Sequence, residues 1–103
     1  MQYALNLPSD AKFPGLGLRR VVWMCNRDNA RSIATAQRLG FRTEGTLRWL
    51  IVVSNDAPFG DEPRQGDPAG RRGRHDLMLS LCWDDWENGG RDIVEKQMAR
   101  RAS

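Results

Sequence analysis

Between residues 19 and 53 the sequence changes its hydrophobic period twice, and this constrains the fold more than any other feature. Arg19 to Cys25 reads Arg-Arg-Val-Val-Trp-Met-Cys, a β-branched and aromatic run that predicts a strand over 19–25. A polar turn follows, and Asn29 is a good N-cap for a helix over 29–39. Ile33, Ala36, Gln37 and Gly40 trace one side of that helix, and Gly40 is a plausible terminating glycine. A second strand is expected over 41–53, bent at Gly45. Its end, Leu50-Ile51-Val52-Val53, is continuously apolar, as for a strand covered on both faces.

The flanking segments are less regular. Met1 to about Pro8 reads as the tail of a helix, with Tyr3, Ala4 and Leu7 on one face. Gly15-Leu16-Gly17 precedes a strand rather than opening a helix, so it reads as a flexible turn and not a phosphate loop. Residues 54–74 carry three prolines and four glycines, the composition of a long loop. A third strand is expected over 76–83. An amphipathic helix is expected over 91–101, with Ile93, Val94 and Met98 on one face. The whole is one α/β (α+β) domain: a mixed sheet of about three strands, one central helix, a C-terminal helix and a helix remnant at the N-terminus.

Composition narrows the function. The 103 residues are 40% hydrophobic and 28% charged, which excludes collagen-like and wholly disordered chains. No apolar run approaches a membrane span, and no secretory signal is visible. Two isolated cysteines, Cys25 and Cys82, read as reduced thiols of a cytoplasmic protein, with the nucleus as the other compartment. The net charge is +3 and fourteen of the sixteen cations are arginine, which suits an anionic ligand. The one dense cluster, Arg71, Arg72 and Arg74, falls in the loop, which is weak support for nucleic-acid binding. A single histidine, His75, and no Cys-x-x-Cys leave no metal site to assign.

Three separated segments carry a family resemblance. Asn29, Ser32, Leu39, Gly40, Phe41, Glu44 and Gly45 form Asn-x-x-Ser, a helix closing in Leu-Gly-Phe, and x-x-Glu-Gly. Together with the strand that follows Gly73-Arg74-His75-Asp76, they resemble the C-terminal part of the GNAT acyl-CoA N-acyltransferase superfamily. The nearest likeness is to the ribosomal-protein N-acetyltransferase-like branch and its fungal members. The resemblance covers about residues 15 to 101.

It implies acetyl-CoA as co-substrate and an amine acceptor: a protein N-terminus, a lysine or a small molecule. It also implies that the N-terminal end of the central helix faces the thioester. Asn29 and Ser32 would then bind the acyl-CoA, and Ser32 would be the catalytic acid toward the leaving thiolate. Many superfamily members place a tyrosine where this chain has Ala36, so Ser32 is the remaining candidate on that helix. The family's pyrophosphate loop lies ahead of the first helix remnant and is expected to be missing. That would leave the first strand with an unpaired edge, a route to a homodimer. The competing readings are a non-catalytic binding or dimerisation module and, on the arginine content, a small basic nucleic-acid binder. Asn29 also reads as a cap alone, Ser32 as a small helix residue alone, and His75 beside Asp76 either as a base or as a loop-end histidine.

Overall fold

The computed structural model describes residues 1–54 and 56–102. Along the chain run α1 (Gln2–Leu5), β1 (Arg20–Asn26), α2 (Ala30–Arg38), β2 (Arg42–Val52), β3 (Gly73–Cys82), the helical turn α3 (Trp83–Asp85) and α4 (Arg91–Ala102). The strands form one sheet in the order β1-β3-β2, and both pairings are antiparallel. The last strand thus inserts between the first two, which point the same way.

The helix boundaries follow from capping. Asn29 Oδ1 accepts the Ser32 amide at 3.1 Å and opens α2. At the other end Gly40 takes φ 93°. There Phe41 N–H donates to Ala36 O and Gly40 N–H to Gln37 O, both at 3.0 Å, the paired bonds of a Schellman motif. Phe41 is thereby turned back into the core with Ala36, Leu79, Leu81, Trp86 and Val94. Trp86 is fully buried, and its Nε1–H donates to Asn6 Oδ1 at 2.8 Å, which ties the N-terminal segment to the residues after β3.

The Gly15-Leu16-Gly17 segment is a packed cap and not a flexible turn. Leu16, Gly17 and Leu18 donate their amides to Tyr3, Asn6 and Ala4 carbonyls at 2.7–2.8 Å. These are carbonyls that the short α1 leaves without helical partners. A Cβ on Gly15 would lie 2.6–2.7 Å from three carbonyl oxygens, so the approach needs glycine. The buried residue of α1 is Leu5, whereas Tyr3 and Leu7 face solvent, in contrast to the expected face.

The ends of the sheet also depart from expectation. Leu50, Ile51 and Val52 are exposed, Val52 by 61%, and only Val53 is buried. Continuous apolarity had implied cover on both faces, but β2 is an edge strand and projects beyond the region where β1 pairs. The β2–β3 arm lengthens the molecule to 58 × 29 × 19 Å, with a radius of gyration of 17.7 Å. A compact domain of this length would have roughly 13 Å. β3 begins at Gly73, three residues ahead of the predicted 76, because Gly73 pairs with both Val52 and Asp61. Among the described side chains of α4, Val94 alone is buried, while Ile93 and Met98 are exposed. An open groove separates α4 from α2 there, so the predicted apolar face is only partly covered.

Candidate functional site

Alternation along β1 turns Val21, Trp23 and Cys25 toward the core side and leaves Val22 and Met24 exposed on the other. The turn after β1 brings the start of α2 back beside the strand's C-terminal end. The result is an open groove of about 570 Å³ whose lining includes Met24, Cys25, Asn26, Asn29, Ser32 and Phe59. Asn29 and Ser32, the two residues singled out from sequence, therefore meet on one groove.

Their hydrogen bonds define what each can do. Asn29 Oδ1 is occupied by the Ser32 amide, which leaves the carboxamide NH₂ as its donor. Ala30 N–H is turned to Asp28 O at 3.1 Å, so the helix end offers fewer amides than its sequence suggests. Ser32 is half-buried, and its Oγ accepts from Trp23 Nε1–H at 2.9 Å. Indole N–H only donates, so the hydroxyl proton must point elsewhere.

His75 stands apart from these residues and has no nitrogen to offer a substrate. Its Nδ1 accepts the Trp49 amide at 2.9 Å, and its Nε2 lies 2.9 Å from Asp61 Oδ2. The Nδ1 acceptor role puts the proton of the neutral ring on Nε2, which donates to the carboxylate. Asp61 also takes Arg27 at 2.8 Å. His75 is accordingly an anchor between the loop and the sheet, and the candidate role as a base is not supported. Asp76 is engaged with Arg74 through two bonds of 2.7 and 3.0 Å. Within the arginine cluster Arg72 bonds the Ala57 carbonyl and Arg74 bonds Asp76, while Arg71 and Arg72 line a pocket with Arg64 beside Trp49. Glu44 pairs with Arg20 across the sheet surface.

Sequence reasoning missed Trp23 and Asp61. The inward phase of Trp23 in the β1 alternation was a usable signal. Asp61 had none, because its contact with His75 depends on the path of the long loop.

Among the described residues, Cys82, Asp84 and Asp85 bring a thiol and two carboxylates within 4.8 Å of one another. The group caps the turn after β3: Asp85 Oδ2 accepts the Cys82 amide at 3.2 Å. Both cysteines are free thiols. No helix of the described residues is long and apolar enough to cross a membrane.

This arrangement has counterparts among solved structures. A GCN5-related N-acetyltransferase from Brucella melitensis superposes with a TM-score of 0.56 at 28% identity, over 78% of this chain. A GNAT-family protein from Chromobacterium violaceum matches with a TM-score of 0.52 at 36% identity, over 70% of this chain. The chain resembles the GNAT superfamily in fold and sequence. The part of the GNAT fold described here is a limited one: the chain spans 29% and 28% of the lengths of these two structures. No family model matches the sequence, and no curated protein does.

Proposed function

We propose that this chain contributes the acyl-donor wall of a GNAT-type N-acyltransferase site, in which an amine attacks the thioester of acetyl-CoA directly. The observation that carries this reading is the meeting of Asn29 and Ser32 on one groove at the start of α2, beside the end of β1. The groove offers the neutral donors of Asn29 and Ser32 at the helix start, with the charged Asp28 and Arg74 also on its lining.

In this reading Asn29 orients the pantetheine through its carboxamide. Ser32 donates its hydroxyl proton to the sulfur as negative charge develops there, and the proton that the attacking amine loses restores the hydroxyl. A thioester supplies an activated acyl group, so the protein needs only to position, exclude water and manage one proton. No covalent enzyme intermediate is required. The arm that carries Phe59 borders the groove and would face the amine, whose class (protein N-terminus, lysine or small molecule) the groove does not select. The ribosomal-protein N-acetyltransferase-like branch is the subgroup favoured by the Asn-x-x-Ser spacing and the absence of tyrosine at Ala36. The free thiols Cys25 and Cys82 favour a reducing compartment, the cytoplasm or nucleus.

Calorimetric titration of the chain with acetyl-CoA tests this. Saturable binding that weakens in Ser32→Ala is expected. Absence of binding at millimolar acetyl-CoA, with the chain folded by circular dichroism, would remove the enzyme reading for this chain.

One observation favours a second reading. β1 pairs with β3 alone in the described sheet, and Val22 and Met24 are exposed beside that edge. A non-catalytic module that pairs through β1, with a second copy for instance, would use that edge. Sedimentation velocity would then show a dimer whose population is unaffected by acetyl-CoA.

A further inference from the structure

Ser32 is held from two directions by groups of different kinds. Asn29 fixes its backbone through the 3.1 Å bond to the amide, and Trp23 fixes its side chain through the 2.9 Å bond to Oγ. A serine hydroxyl has one proton and two acceptor positions, and the indole occupies one acceptor position. The proton is thereby turned away from Trp23. Donation into the oxygen also polarises the O–H bond and strengthens it as a donor.

The indole is itself held by packing. Trp23 faces Leu79 across the β1–β3 ladder, and Leu79 is fully buried. Its ring meets Phe41 edge to face, with centroids 5.6 Å apart and planes at 65°. Phe41 is fixed in turn by the Schellman closure of α2, the same helix whose first turn carries Ser32. One rigid unit therefore runs from the helix end through Phe41 and Trp23 to the helix start.

We propose that Trp23 is a positioning residue for Ser32: its indole N–H selects the hydroxyl rotamer and leaves the O–H as the donor that the groove presents to a thioester sulfur. This rests on the acyl-CoA reading of the same groove. It adds a residue that acts on the acyl donor only through Ser32.

Trp23→Phe keeps an aromatic ring against Phe41 and removes the N–H. The test is a double-mutant cycle of Trp23→Phe and Ser32→Ala, read as acetyl-CoA affinity by calorimetry, with fold checked by circular dichroism. The loss of one neutral hydrogen bond predicts about a fivefold weakening from Trp23→Phe in the wild-type background. In the Ser32→Ala background the same change should alter affinity by less than about twofold. Equal weakening in both backgrounds would show that the ring only packs, and would overturn the proposal. So would full affinity in Trp23→Phe.

The Trp23 indole cross-peak in a ¹⁵N-labelled sample, assigned by its disappearance in Trp23→Phe, gives a readout without ligand. It should shift in Ser32→Ala, and an unmoved peak would overturn the proposal whatever the affinities. A shifted peak with no acetyl-CoA binding by the folded wild-type chain would place the failure in the acyl-CoA reading, and Trp23 would then have no positioning role for acyl transfer.

Discussion

The imidazole of His75 accepts the backbone amide of Trp49 at 2.9 Å, and the Trp49 ring packs against that same imidazole with centroids 4.7 Å apart. Trp49 has φ 54°, a left-handed conformation that is rare for a bulky residue. The ladder explains why it is tolerated. Leu47 pairs with Asp76 and Ile51 with Arg74, so three residues of β2 stand opposite His75 alone. The bulge removes Trp49 from the backbone ladder, and the histidine side chain supplies the missing acceptor. The indole then lies on Gly73, where a Cβ would come within 2.4 Å of the ring.

Removing that acceptor should loosen the arm before it unfolds the domain. His75→Ala leaves the Trp49 amide without its acceptor and breaks the bond to Asp61. The expected cost is about 2 kcal/mol in urea unfolding. Hydrogen exchange should rise at Trp49 and in 57–61 more than at Leu79 or Leu81 in the core. Uniform acceleration at all of these amides would contradict the local anchoring role.

The cap formed by Gly15 predicts an asymmetry between two glycines. Gly15→Ala forces a methyl onto three carbonyl oxygens, whereas a Cβ on Gly45 meets nothing within 4 Å. Gly15→Ala should destabilise by about 2–3 kcal/mol. Gly45→Ala should be neutral or slightly stabilising, by up to about 1 kcal/mol, since the unfolded chain loses freedom. Thermal melts of the two variants side by side decide this.

Asn6 is almost fully buried. It accepts from Trp86 and donates its Nδ2–H to Phe13 O, both at 2.8 Å. Asn6→Ala would strand the Trp86 N–H in the core at a cost of about 2 kcal/mol. Asn6→Ala combined with Trp86→Phe should recover part of the loss attributable to the stranded donor. A purely additive double variant would contradict that account.

One acid-limb effect is expected at the surface. The Phe13 amide donating to Asp10, with that of Lys12 beside it, holds the Asp10 carboxyl below its ordinary value of 3.8. A depressed value means that the carboxylate's contribution is present above pH 3.8 and is lost as pH falls through the folded-state value. Asp10→Ala should therefore be less stable than the parent at pH 6, and the gap should narrow below pH 3.8. Urea titrations at the two ends of that range measure it.

Local signals carried the elements whose ends are set by nearby residues. Asn29 and Gly40 bound α2 because an N-cap and a left-handed C′ glycine act within a few residues of the helix they terminate. The β-branched run of β1 was legible for the same reason, and the resemblance to GNAT acyltransferases, carried by Asn29, Ser32, Leu39-Gly40-Phe41, Glu44-Gly45 and the third strand, agrees with the solved structures. Tertiary structure decided the rest. The exposure of Leu50, Ile51 and Val52 follows from the edge position of β2, which no local pattern encodes. The roles of Gly15, Trp23 and His75 each depend on a partner brought close by the chain's path: the α1 carbonyls, the Ser32 hydroxyl and the Trp49 amide. Such contacts are set by which groups the fold leaves without a backbone partner, and that is known only once the strands have paired.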